Sequence, residues 1–275
     1  MKLSPTLRCP CKGAHLKEAF SYDTPPIGET AFDLHGAPYQ RHYERCDLCG
    51  HWFGRHGLDI SELYNADYVN ATYGGPGGMA AKLKAILALP PEESDNAGRV
   101  RRIQTFMAQA EGRRLLDVGA GLGVFPSVMK SKGWEVVAIE PDPRTIEHLR
   151  RVVGIEAVAA DLLTLSSEDL DGTFDLITFN KVLEHVEDPV PLLAHARGLL
   201  KVGGVCYVEL PDMEAATEGP EREEFFIEHH HVFSPASLSL MAERAGYHLL
   251  TLERLREPSG KFTLRAFLVA LRVPK

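Results

Sequence analysis

The chain has 275 residues, 44% of them hydrophobic and 25% charged, with a formal net charge of −8. That is the make-up of an ordinary soluble globular protein with room for one large domain and one small one. The acidic balance counts against nucleic acid as the main partner, and no apolar run reaches membrane-span length.

Residues 1–60 read as a small cysteine-rich module. Cys9-Pro10-Cys11 and Cys46-Asp47-Leu48-Cys49 are two turns that each bring two thiols together. Four thiolates make a closed tetrahedral zinc site, which is a structural arrangement. The expected ligands are therefore Cys9, Cys11, Cys46 and Cys49, with four free thiols as the plain alternative. The one-residue spacing of the first pair is unusual, and His15, His51 or His56 could replace a ligand. Residues 39–45 between the pairs alternate as a strand would. The module has no net charge, a poor basis for gripping nucleic acid. Paired short cysteine spacings fit a reducing compartment, and Met1–Pro5 lacks an apolar leader, so a cytoplasmic location is expected.

Residues 61–112 read as an aromatic loop and helical linker. Tyr64, Tyr68 and Tyr73 surround a Gly/Pro break, and packing is the plain reading of them. Residues 79–89 have helical character up to Pro90-Pro91, and 100–110 have helical apolar spacing that stops before Gly112.

From residue 113 strands and helices alternate. Strands are expected at 114–118, 135–139, 156–159, 174–179 and 205–209, with helices at 124–132, 142–153, 189–200 and 235–245. Gly203-Gly204 reads as the turn into the fifth strand. Two late β runs, 247–254 and 261–271, close the chain as an antiparallel hairpin. This pattern predicts an α/β fold: a Rossmann-like, mostly parallel seven-stranded sheet with a terminal antiparallel hairpin, plus the small N-terminal module.

Ligands of such sheets bind beyond the carboxyl ends of the strands. The first strand ends in Asp117 and runs into Gly119-Ala120-Gly121-Leu122-Gly123. Glycines permit positive φ and close approach of a ligand, and the following helix start suits an anionic group. Glu140 ends the second strand, where a carboxylate can accept both hydroxyls of a ribose. Taken alone, this is compatible with NAD, but the Gly-x-Gly-x-Gly spacing with Val at 124 does not meet the longer dinucleotide fingerprint.

Taken as a set, these residues resemble the class I S-adenosylmethionine-dependent methyltransferases, here with an N-terminal cysteine-rich segment. The likeness rests on residues 115–123, Val137-Ala138-Ile139-Glu140-Pro141-Asp142, Ala160-Asp161-Leu162, the run 174–189 and Leu199-Leu200-Lys201-Val202-Gly203-Gly204. It implies S-adenosylmethionine as cofactor. Gly119, Gly121 and Gly123 would approach its methionine part, with Asp117 near the ammonium. Glu140 would hold the ribose, Asp161 the adenine amino group and Leu162 the ring, and Asn180 would line the transfer mouth.

Two constellations remain. Glu184-His185 reads as structural, as part of the cofactor pocket, or as a proton-transfer pair. Glu228-His229-His230-His231-Val232-Phe233-Ser234-Pro235 leads into a helix, with Ser234 as N-cap and Pro235 at its first position. Histidine is suited to taking a proton from an acceptor, so His230 and His231 are the candidate catalytic residues, against helix capping and packing as the plain reading and a metal site with Asp212 or Glu228 as a third. The resemblance extends to a His-x-Phe-Ser-Pro stretch in methyltransferases associated with sugars or cell-surface polysaccharides. The expected partner is a small-molecule methyl acceptor, a sugar or polysaccharide precursor first. A non-catalytic cofactor-binding or scaffold protein is the alternative. The acid-rich stretch 211–231 reads as a solvated insertion or a lid.

Overall fold

The computed structural model describes residues 14–30, 36–58 and 75–271. Seven strands form the main sheet: β4 (Arg114–Val118), β5 (Glu135–Glu140), β6 (Glu156–Ala159), β7 (Phe174–Asn180), β8 (Leu200–Pro211), β10 (Tyr247–Arg256) and β11 (Phe262–Ala270). Their order is β10-β11-β8-β7-β4-β5-β6. β6, β5, β4, β7 and β8 run parallel, while β11 pairs antiparallel with β8 and β10.

Alternation along these strands divides the core into two layers. Leu116, Val118, Ile177, Phe179, Val208 and Leu264 pack on one face beneath helices α5 (Pro189–Gly198) and α6 (Pro235–Arg244). Leu115, Val136, Leu176, Tyr207 and Phe267 pack on the other beneath α2 (Asp95–Phe106), α3 (Val124–Ser131) and α4 (Pro143–His148). The expected long helix over 142–153 breaks at His148 and continues as a π-turn, Leu149–Val153. Helix α1 (Gly75–Leu87) sets Met79 against Leu122 of the glycine turn.

A second sheet contains β1 (Leu16–Tyr22), β2 (Arg41–Cys46) and β3 (Trp52–His56). Its fourth strand is β9 (His231–Val232), far along the chain. The small sheet is therefore not assembled from residues 1–60 alone. Its contacts to the segment before β9 are polar and buried. Arg41 donates to the Phe225 carbonyl, and Glu29 accepts from Arg41 and from the Ile227 amide. Tyr43 donates its hydroxyl to the His229 carbonyl at 2.6 Å, and the Gly54 amide donates to the His230 carbonyl at 2.9 Å. A Cβ at Gly54 would lie 2.7 Å from the His229 oxygen, so this approach needs glycine.

Candidate active site at the carboxyl edge of the sheet

The glycine turn leaves β4 with positive φ at Gly119, Gly121 and Gly123 (69°, 51° and 75°). A Cβ at Gly119 would meet Val182 at 2.6 Å, and one at Gly123 would meet Leu149 at 2.6 Å. The turn is tied from below: the Gly119 amide donates to the Ile139 carbonyl, and His148 Nε2 lies 3.1 Å from the Leu122 carbonyl.

Asp117 is 2% exposed. It accepts from the Thr178 hydroxyl at 2.6 Å and the Asn180 amide at 2.9 Å. Burial pushes its carboxyl up to about 7, against the pull of Thr178, Arg99 and Asn180. Glu140 accepts from the Gly121 amide. Burial likewise pushes it up to about 7, with the Gly121 bond opposing and the Asp117 and Asp142 charges adding. Asn180 Oδ1 is buried with no hydrogen-bond partner among the described residues. Two buried carboxyls and an orphaned carbonyl around a glycine cradle fit a ligand that brings positive charge and hydroxyl donors. Leu162 is buried at the same edge, while Asp161 is exposed and caps the turn Leu162–Thr164 through the Leu163 amide.

The two candidate histidines have different surroundings. His231 is fully buried: its Nδ1 faces His51 Nε2 at 3.0 Å and its Nε2 faces the Glu187 carbonyl at 3.2 Å. Burial pushes it down to about 3. Both of its nitrogens are thus engaged between the two sheets, an arrangement that suits packing. His230 is only partly buried, stacks on His56 with centroids 6.2 Å apart, and donates its amide to the Glu184 carbonyl. Ser234 caps α6 as expected, in a capping box with Ser237.

Sequence reasoning passed over Lys181. It follows β7 with φ of 61°, uncommon for a side chain of its size. Its ammonium donates to Thr263 Oγ1 at 2.6 Å, and burial lowers its pKa against the attraction of Glu184 and Glu209. The signal was absent because a positive φ at lysine has no sequence mark.

The acid-rich stretch is neither bare nor loose. Asp212 and Glu214 pair with Arg254, Glu218 with Arg222 and Arg256, Glu223 with Lys261 and Glu224 with Arg222. The bases of the terminal hairpin hold it over the ends of β8 and β11.

Cys46 and Cys49 are buried thiols in one tight turn, closed by the Gly50 amide on the Cys46 carbonyl at 2.8 Å. Burial raises Cys49 to about 11. Cys9 and Cys11 lie outside the described residues, as do Tyr64, Tyr68 and Tyr73.

The sheet order, the glycine turn and the acid ending the neighbouring strand define a Rossmann-like methyltransferase fold. The chain belongs to the methyltransferase-domain family, whose model matches residues 93–252, more than half of its length. It is similar to the ubiquinone biosynthesis O-methyltransferase of Xanthomonas campestris pv. campestris (strain B100), 36% identical over 101 residues, covering 35% of this chain and 42% of that protein. The counterpart in Xanthomonas euvesicatoria pv. vesicatoria (strain 85-10) is 34% identical over 122 residues, covering 43% and 51%. The matches thus span about half or less of these relatives' length. Among solved structures, the glycopeptide N-methyltransferase MtfA has a TM-score of 0.52 at 19% identity, covering 64% of this chain and 90% of that one. The magnesium protoporphyrin IX methyltransferase ChlM of Synechocystis PCC 6803 has a TM-score of 0.54 at 13% identity, covering 74% and 97%. These two likenesses are of fold. Among the described residues no helix is long and apolar enough to cross a membrane.

A pH dependence follows from Asp117 and Glu140. Both are raised to about 7 and so are largely protonated near pH 6. A ligand that brings an ammonium and hydroxyl donors favours their charged forms. S-adenosylmethionine binding should therefore release protons at pH 6 and fewer as pH rises toward about 7.5, and affinity should rise across that range, below the titration of the ligand's own ammonium. Calorimetry in buffers of different ionisation enthalpy measures this, and an enthalpy independent of buffer at pH 6 contradicts it.

Proposed function

We propose that the protein transfers a methyl group from S-adenosylmethionine to a small-molecule acceptor. The observation that carries this is the set of polar groups around the positive-φ glycine turn: buried Asp117, part-buried Glu140, and Asn180, whose Oδ1 has no hydrogen-bond partner among the described residues. Bound cofactor supplies an electrophilic methyl on a sulfonium. In this reading Asp117 faces its ammonium, Glu140 accepts from the ribose hydroxyls, Leu162 packs on the adenine and Asp161 accepts from its amino group. Asn180 lines the mouth, where the chain's task is to align the acceptor and exclude water.

The acceptor side is formed by the segment 225–231, held by Arg41, Glu29, Tyr43 and Gly54 of the N-terminal sheet. This supports a covering role for that sheet, and of the two candidate histidines it favours His230 as the acceptor contact. Oxygen is the nucleophile we favour, by analogy with the O-methyltransferase relatives, with a sugar or polysaccharide precursor as the first acceptor to try. We further propose that Cys46 and Cys49, together with Cys9 and Cys11, hold a structural zinc. Its support is the buried pairing of the two described thiols in a tight turn.

Calorimetry with S-adenosylmethionine, S-adenosylhomocysteine and NAD tests the cofactor. The first two should bind and NAD should not; preference for NAD overturns the reading. Screening hydroxylated metabolites with a methyl-labelled cofactor then tests transfer. Cofactor binding without transfer to any acceptor favours a binding protein instead.

A further inference from the structure

Next to the transfer mouth lies a group of side chains that cofactor binding does not use. Glu184, His185 and His229 each offer one ligand atom, and these atoms lie within 4.8 Å of one another. Glu184 is 1% exposed, and neither carboxylate oxygen has a hydrogen-bond partner among the described residues. A buried carboxylate without a donor is costly, so this one calls for a ligand. Lys181 attracts it, but the lysine's ammonium donates to Thr263.

The imidazoles are oriented by their other nitrogens. His185 Nδ1 faces the Glu228 carbonyl at 3.1 Å, and His229 Nδ1 faces the Glu224 carbonyl at 3.0 Å. A ring nitrogen facing a carbonyl carries the proton, which leaves the lone pair of the neutral ring on Nε2. Metal-bound histidines are held in this way. The backbone that carries His229 is itself fixed by Tyr43.

We propose that Glu184, His185 and His229 form a divalent-cation site at the acceptor side of the mouth. Two imidazoles and one carboxylate suit zinc, iron, cobalt or manganese and leave coordination positions open. Tetrahedral bonds of about 2.0–2.2 Å put ligand atoms roughly 3.4 Å apart, so a closing of about 1.5 Å, shared between side chains, completes the set. The charge of Lys181 opposes the ion, while Glu209 and Glu257 on its other side offset that charge. The cation's use in the reaction rests on the methyl-transfer reading. There it would hold an acceptor hydroxyl, whose proton passes to solvent. The oxygen then bonds to the methyl carbon, the carbon–sulfur bond breaks, and its electron pair stays on sulfur.

The test is titration of the full chain with Co2+ and no methyl donor present, so its outcome is independent of whether transfer occurs. Thiolate-bound cobalt announces itself by an intense sulfur-to-metal band. Wild-type protein should bind one further Co2+ without adding to that band. Glu184→Gln and His229→Gln should each weaken that ion at least about tenfold. Lys181→Met, which removes a positive charge, should tighten it, a gain that a merely structural cluster would not give. Wild-type protein that takes up no nitrogen- and oxygen-bound cobalt overturns the site, as do Gln variants that bind it like wild type.

Discussion

Glu209→Gln is expected to lower the folding free energy by about 3–5 kcal/mol at pH 7, the usual cost of removing one partner from a buried ionic network. Glu209 closes β8 with 0% exposure. Arg99 of α2 reaches it through Nε at 2.8 Å, Arg265 of β11 lies 2.7 Å away, and Tyr207 donates its hydroxyl at 2.7 Å. Arg265 also forks onto Glu257 at 2.7 and 2.8 Å. Glutamine keeps the shape but leaves two buried guanidiniums sharing the single carboxylate of Glu257. Burial alone would raise Glu209, but Arg99 and Arg265 outweigh it and hold it near 2, below its ordinary 4.5. Its contribution is thus complete above about pH 4.5 and fades as pH falls toward 2. Urea melts of both proteins across that range measure the gap. It should be full at pH 7 and close toward pH 2; a pH 7 gap under about 1 kcal/mol would mean that the network contributes little.

The parallel core was legible because each strand is a short apolar run ended by an acid or a polar residue at the carboxyl edge. β4 and β6 appear with their expected bounds, and β5 and β7 extend one residue further, to Glu140 and Asn180. Those last residues are the ones proposed to face the cofactor. Gly203-Gly204 lies within β8, from Leu200 to Pro211, but Gly203 has φ of 81° where a turn is expected. A Cβ at Gly204 would sit 2.9 Å from the Phe174 carbonyl, and the register slips between Phe174 and Leu176. The glycine pair marks a close backbone approach at this irregularity in the strand.

The acceptor side was legible only in outline. β9 has two residues, too few for any periodicity, and its partner β3 lies about 180 positions earlier. Within the histidine run, β9 begins only at His231, whose side chain is buried between the sheets, while His229 precedes the strand and lies beside Glu184 and His185. Three identical residues carry no sequence mark of which one faces inward. The acids of 211–231 looked like a solvated run because their partners, Arg254, Arg256 and Lys261, belong to a hairpin that only the fold brings alongside.

Glu140→Ala should weaken S-adenosylmethionine and S-adenosylhomocysteine together, by about 10–100-fold. A hydrogen bond to a charged group is worth about 1.5–3 kcal/mol, and about 1.4 kcal/mol is a factor of ten in affinity. Some of that gain is spent on ionising a carboxyl that burial holds near 7, so the lower part of the range applies near pH 6. The ribose contacts are the same before and after transfer, so the substitution removes uniform binding. KM for the cofactor should rise with kcat at saturation nearly unchanged. Glu140→Gln keeps one acceptor oxygen and should fall between wild type and alanine. Glu140 also accepts from the Gly121 amide, which gives it a second possible duty, holding the turn in shape. The two duties separate in the kinetics. If kcat collapses while KM and both affinities stay put, Glu140 serves the geometry of the turn and not the ribose.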